Sequence, residues 1–529
     1  MNLSQAGRVL VDKYGGYTPS NQLRIEKMKP VNTITLAVFL AFSLLATSWA
    51  QSPQYKMTTQ VPDNVLIPDE VDTRLGTLKF FDGVPTEETA AKVWDQLDFQ
   101  RAVESMILTT PAASLSGFRR SLRELGPDNE TAMLWEERLD SKALLLTGNT
   151  SVIYLFMWID TKNGPVVIDA PPNILAIVDD FWFHYVTDIG NAGPDRGKGG
   201  KYLILPPDFE GEAPEGYFAR KSNTYGNWFV IRGFPVGNDN AAVVNNIKDN
   251  LKVYPLAEKN NPRPVVYHDI SNKYINTLHA QDITFFHEVN EVVQEEHNQA
   301  FSPEVLGMLA SIGIEKGKEF KPEARMTKIL SEAAVVGTAA QRSIIWRNRS
   351  ESVVIWPDSK SWEVGFAGGS HAFDHDGVRL INERTRFHYY ATGITPVMVK
   401  PPVGAGSQYV IGLRDSEGGI LNGSKTYKMN IPANVPAKRF WEVTVYDNQT
   451  RSMLQTDQRL PSITSLQSDV VQNADGSYDI YFGPEKPEGK VNWIQTIPNK
   501  GWNVLWRIYS PTQVWYDRAW RQGEIELVQ

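Results

Sequence analysis

Apolar residues change their spacing several times along this chain, and each change marks a different kind of element. Residues 34–46 (Ile-Thr-Leu-Ala-Val-Phe-Leu-Ala-Phe-Ser-Leu-Leu-Ala) form its only long apolar run. From Thr86 to Ile107, Ala90, Val93, Trp94, Leu97, Phe99 and Val103 recur at three- and four-residue steps, which predicts an amphipathic helix. From about Ala143 the apolar residues gather into short β-branched and aromatic runs at 152–156, 166–168, 202–205 and 228–231. Gly, Pro, Asn and Asp separate these runs, as turns separate strands. Helical spacing returns between Asp282 and Arg347, where Phe285, Phe286, Val289, Val292 and Val293 share a face. Ser302-Pro303-Glu304 there supplies an N-cap, a first-turn proline and an acid at the positive dipole end. After Tyr409 strands dominate again, at 427–431, 441–446, 478–482 and 502–509, and Asp475-Gly476 marks a hairpin. Several of these runs alternate with period two, so each is expected to bury one face and wet the other. The pattern predicts an α+β, β-rich fold: a mixed N-terminal β domain, a helical middle segment and a C-terminal antiparallel β-sandwich of jelly-roll type.

The apolar run at 34–46 is too short to span a bilayer comfortably, since spanning takes about 20 residues. Arg24, Lys27 and Lys29 precede it and the small residues Ser48 and Ala50 follow it, the layout of a secretory signal cleaved near Ala50. Met28 is an alternative start to Met1. The expected location is the periplasm or the medium, with membrane contact only during export. The 529 residues contain no cysteine, which removes disulfides, thiolate ligands and a Cys nucleophile. Residues 1–50 carry five Lys or Arg and two Asp or Glu, so the formal charge of −8 becomes −11 without them. An acidic chain with no basic stripe repels phosphate backbones, which argues against a nucleic-acid partner.

Several clusters could carry chemistry. Arg196, Lys198 and Lys201 sit in a glycine-rich loop at 190–201, a possible cationic lip for a carboxylate or sulfate, although no phosphate-loop lysine motif follows. Asn149, Arg451, Gln455, Asn492 and Trp493 combine amide and guanidinium donors with an aromatic face, as sugar or aromatic ligands require. His371, Asp374, His375 and His388 are imidazoles and carboxylates of the kind that hold a divalent metal when cysteine is absent. A surface loop explains the same residues. Ser370, in Gly-Gly-Ser-His-Ala, approaches the nucleophile-elbow pattern without its strand-to-helix context. His287-Glu288 with Glu291 resembles a metalloprotease helix whose second histidine is replaced.

Longer motifs carry a resemblance. Tyr389-Tyr390-Ala391-Thr392-Gly393-Ile394-Thr395-Pro396, the stretch from Phe440 to Thr456, Tyr481-Phe482-Gly483-Pro484 and Asn492-Trp493-Ile494-Gln495-Thr496 resemble bacterial proteins that join domain of unknown function 1254 to domain of unknown function 1214. Thr147-Gly148-Asn149-Thr150 and Gly193 to Leu205 extend the match into the N-terminal part. The residues predict a signal and extension at 1–50, a polar lead at 51–75 and a helical link at 281–398, and the resemblance implies a 1254-like domain at 76–280 and a 1214-like β domain at 399–529. It implies export and assigns no chemistry. The residues favour a small organic or oligosaccharide ligand bound in an interdomain cleft. The alternatives are a metal- or carboxylate-dependent hydrolase or lyase, and a structural envelope protein forming homo-oligomers. No cofactor is expected, with a divalent metal as the exception the histidines allow.

Overall fold

The computed structural model describes residues 55–235, 237 and 239–528; the expected signal and its cleavage point lie outside these residues. The described residues 55–84 form one unit, in which β1 (Glu70–Thr73) pairs antiparallel with β2 (Gly76–Phe81). Residues 85–529 form the other unit, to which all that follows belongs.

Its N-terminal strands are β3 (Thr131–Leu134), β4 (Ile153–Asp160), β5 (Val166–Ala170), β6 (Leu175–Asp180), β7 (Tyr185–Gly190), β8 (Gly200–Leu205), β9 (Phe218–Lys221), β10 (Gly226–Gly233), β11 (Lys252–Pro255) and β12 (Val266–Asp269). They build a six-stranded sheet ordered β12-β3-β4-β10-β6-β7 and a four-stranded sheet ordered β9-β8-β5-β11. Along β4 the side chains divide by parity. Ile153, Leu155, Met157 and Ile159 meet the four-stranded sheet, while Tyr154, Phe156 and Trp158 face the helices. A strand buried on both faces shows no polar alternation, which is why 152–156 reads as an unbroken apolar run.

Helix α1 (Glu87–Arg123) has 37 residues, well beyond the expected end at Ile107. Thr86 caps it by accepting from the Thr89 N–H at 3.2 Å. It continues through Pro111 into a segment buried on every side, so the amphipathic period stops although the helix does not. Near the proline, Arg384 donates to the Leu108 carbonyl at 3.0 Å. After α2 (Asn240–Asn250), the helices α3 (Thr284–Glu295), α4 (Pro303–Ser311), α5 (Ala324–Trp346) and α6 (Ile381–Tyr390) follow, and α3 to α6 all pack on α1. This is the expected helical middle.

The C-terminal strands are β13 (Trp362–Val364), β14 (Ser407–Gly412), β15 (Tyr427–Ile431), β16 (Ala437–Asp447), β17 (Ser462–Thr464), β18 (Tyr478–Gly483), β19 (Asn492–Gln495), β20 (Trp502–Pro511) and β21 (Glu526–Leu527). A five-stranded antiparallel sheet, β13-β14-β20-β16-β17, encloses an apolar core with a four-stranded sheet, β19-β18-β15-β21. The pairing is antiparallel throughout except between β18 and β19. Trp441, Val443, Val445, Val504, Trp506 and Ile508 fill that core. The alternate residues Glu442, Thr444, Tyr446, Asn503, Arg507 and Tyr509 were expected to be wet, yet all are buried. Their face is covered by the loop at 147–151 and by α6, so the polar half of the alternation became an internal interface.

Candidate functional site

The buried interface is wired by hydrogen bonds across the two halves. Glu442 accepts from the Thr150 N–H at 3.1 Å, the Ser151 hydroxyl at 2.9 Å and the Thr444 hydroxyl at 2.8 Å. Arg507 donates to the Tyr446 hydroxyl at 2.6 Å and the Thr147 carbonyl at 2.8 Å. Tyr446 in turn donates to the Gly148 carbonyl at 2.5 Å. Each group is desolvated, so each must find such a partner or cost the fold about 1–3 kcal/mol.

Beside this network the halves part around a cavity of about 550 Å³, walled by the six-stranded sheet, the five-stranded sheet and residues 395–407. A smaller space of about 70 Å³ lies toward the helices and shares Val230, Arg232, Met398 and Tyr409 with it. Arg232 therefore lines both. On β10 it continues the parity of Trp228 and Val230, a face whose other side chains are apolar. Tyr154 stands directly opposite it on β4. Its electrostatic neighbours are the hydroxyls of Tyr154, Tyr409 and Tyr509 and, beyond the 4.0 Å of an ion pair, the carboxyls of Asp188 and Asp179.

Asp188 lines the larger cavity from β7, opposite Ile177 on β6, which is itself opposite Val230. Burial pushes its carboxyl up to about 6, against the hydroxyls of Tyr185 and Thr395 and the charge of Arg232, which all pull it down. Asn191, Thr395, Ser407, Ser510 and exposed Arg439 add to the polar lining, with the Arg439 guanidinium 5.4 Å from the Phe234 ring centre.

The sequence candidates are distributed unevenly about this geometry. Asn149 lies at its centre, lining the inner space and donating to the hydroxyls of Tyr154 and Tyr509 at 3.0 and 3.1 Å. Arg196, Lys198 and Lys201 point to solvent, away from both spaces. Their loop is tied down from inside by Asp195, which accepts from the Gly190 N–H at 2.8 Å, the Gly199 N–H at 3.0 Å and the Tyr202 hydroxyl at 2.5 Å. Gly190 is required there: it has φ of +78°, and a Cβ would sit 2.1 Å from the Ile174 carbonyl oxygen. The loop does reach the cavity, but through Asn191 and Ala192. Arg451 is fully buried and stacks on Tyr389 at 4.0 Å, and burial holds its pKa below the ordinary value. None of its nitrogens has a hydrogen-bond partner. Gln455 is exposed. Asn492 ties β19 to the Val471 N–H and carbonyl at 2.7 and 2.8 Å, and the Trp493 indole donates to the Gly483 carbonyl at 3.0 Å, both structural roles.

His371, Asp374, His375 and His388 do not converge. His388 is buried between Phe183, stacked at 5.2 Å, and the rings of Phe373 and Phe387, and burial holds its pKa well below the ordinary value. His371 packs against Tyr185, while Asp374 and His375 are exposed on a short hairpin. Among the described residues no group of three or more His, Cys, Asp or Glu side chains is placed to hold a metal ion. The grouping expected from sequence fails because α6 carries His388 into the core while the hairpin turns outward. Ser370 donates to Asp374 at 3.0 Å, and Glu288 and Glu291 pair with Arg120 and Arg119 on α1.

Arg232, Asp188, Glu442, Arg507 and Tyr509 escaped the sequence reading. A signal was present, since each stands within or beside an apolar or aromatic strand run.

The fold and site define a two-part α+β protein whose halves enclose a polar-anchored cavity. Residues 129–255 match the family model described as protein of unknown function (DUF1254), and residues 406–513 match that described as protein of unknown function (DUF1214). The chain thus joins a DUF1254 segment to a DUF1214 segment. Among solved structures it is similar to the VPA0106 protein of Vibrio parahaemolyticus, with 19% identity and a TM-score of 0.50 over 82% of this chain and 100% of that one. A putative uncharacterized protein of Burkholderia cenocepacia is 10% identical, with a TM-score of 0.36 over 83% of this chain and 97% of that one. The first likeness is one of fold alone. No curated protein matches the chain. Among the described residues no helix is long and apolar enough to cross a membrane.

Proposed function

We propose that the protein binds a small organic anion in the cavity between its halves, with Arg232 as the anchor. The observation that carries this reading is a guanidinium on the core-facing side of a buried strand, turned into a cavity, with tyrosine hydroxyls beside it and no carboxylate at ion-pair distance. The surrounding hydroxyls keep the guanidinium charged, and with no carboxylate at ion-pair distance its donors are open to a bidentate carboxylate ligand. The volume of about 550 Å³ lies within the roughly 300–1,000 Å³ usual for small-molecule sites. Phe234, Tyr409 and Tyr509 give the ligand flat apolar walls. Isothermal titration with hexanoate and benzoate tests the reading. Wild type should bind at least one of them and Arg232→Gln neither, whereas equal binding by both proteins would refute it.

The place of action follows from the leader. The apolar run at 34–46, its basic flank and the small residues before Gln51 support export to the periplasm. N-terminal sequencing of the periplasmic fraction should read from about Gln51, and an intact leader on a cytosolic species would contradict it.

A further inference from the structure

Arg232 and Asp188 are opposite charges on one wall of one cavity, and they do not touch. Arg232 lies two residues from Val230 on β10; Val230 is opposite Ile177 on β6, and Ile177 is opposite Asp188 on β7. With strands about 4.8 Å apart and a rise of about 3.4 Å per residue, their Cα atoms are roughly 12 Å apart on the same sheet face. No ion pair within 4.0 Å joins them. Both nevertheless line the same space.

Building on the anion-binding reading, we infer that the occupant is a zwitterion of the α-amino-acid class, its carboxylate on Arg232 and its ammonium on Asp188. Asp188 is 4% exposed, and the hydroxyls of Tyr185 and Thr395 fix its carboxyl from the side. A carboxylate has about four acceptor positions, so two remain for a ligand. A simple anion drawn in by Arg232 also meets the negative field of Asp188, and so binds more weakly than a ligand that answers both charges. A simple amine would reverse the problem at Arg232. A ligand carrying both charges answers both residues at once, and Ile177, Val230, Phe234, Val397 and Met398 offer apolar wall for its side chain. Because the carboxyl titrates near 6, Asp188 is ionised at neutral pH, as the ammonium contact requires.

Three matched pairs of probes test this by isothermal titration at pH 7.5: alanine with propanoate, leucine with 4-methylpentanoate, and phenylalanine with 3-phenylpropanoate. In at least one pair the amino acid should bind tenfold or more tighter than its deaminated partner. Asp188→Asn should reduce that ratio to near one while Arg232→Gln abolishes both members, with thermal unfolding showing that each variant is folded. Equal affinity within every pair, a comparison that needs no variant, overturns the zwitterion and leaves the anion-binding reading standing. So does a preference that survives Asp188→Asn. Absence of binding by all six probes overturns both.

Discussion

The side-chain amide of Asn149 donates to the hydroxyl of Tyr509 at 3.1 Å, across the boundary between the two halves of the protein. The same amide donates to Tyr154 at 3.0 Å, and the Tyr509 hydroxyl leads on to Glu442 at 3.4 Å. One asparagine therefore links the strand that faces Arg232 to the polar core of the interface. The cavity is framed by this network, so its shape depends on every member being satisfied.

Glu442 is the hub of that network, accepting from groups on both halves. Glu442→Ala would strand several buried donors and should destabilise the protein by about 3 kcal/mol or more. Urea unfolding measures this; a loss under about 1 kcal/mol would mean that water replaces the carboxylate without penalty.

The glycine loop separates structure from charge. Asp195→Ala removes three hydrogen bonds inside the loop and should cost about 2–3 kcal/mol. The triple replacement of exposed Arg196, Lys198 and Lys201 by Ala should alter stability by no more than about 0.5 kcal/mol. Ligand affinity should be unchanged in the triple variant, since none of the three lines the cavity.

His388 gives the fold an acid sensitivity. Burial first, then nearby Arg384, holds its pKa well below 6.5, so the folded protein keeps a neutral ring that the unfolded chain protonates. Its stabilising contribution is full above about pH 6.5 and falls as pH drops below that value, by about 1.4 kcal/mol per pH unit. Phe fits the aromatic surroundings and does not titrate. Stability of His388→Phe should therefore gain on wild type by that slope between pH 6 and pH 5, and parallel curves would contradict the buried neutral ring. Asp188 and Glu296, raised by burial to about 6 and about 7, act with the opposite sign but equally in both proteins.

Arg232 should display the trade of stability for binding. Replacing a half-buried guanidinium that has no carboxylate at ion-pair distance by Met, of comparable length and apolar, should leave stability unchanged or raise it by about 1–2 kcal/mol, while removing anion binding. A thermal melt decides the first half. A large loss would show that Arg232 holds the sheet together.

The strands and helices were largely legible from spacing, because burial imposes periods of two and about 3.6 on any chain. The end of α1 was not, because beyond Ile107 the helix is enclosed on all sides and has no polar face to mark its turns. The polar alternation of β16 and β20 was read correctly as alternation and wrongly as exposure: period two shows that two faces differ, and leaves open what covers each. The site was the least legible part. Arg232 and Asp188 are 44 positions apart and come together only because β6 lies between β10 and β7. Asn149 alone was anticipated, through its place in a Thr-Gly-Asn-Thr motif.

The central claim is that an organic anion is held beside Arg232. A crystal grown with 4-bromobenzoate tests it most directly, since anomalous scattering locates the bromine independently of any fitted density. The account predicts a bromine peak inside the cavity between the two halves and a carboxylate within hydrogen-bond distance of the Arg232 guanidinium. An empty cavity at saturating 4-bromobenzoate, or a bound molecule whose carboxylate faces away from Arg232, would contradict it.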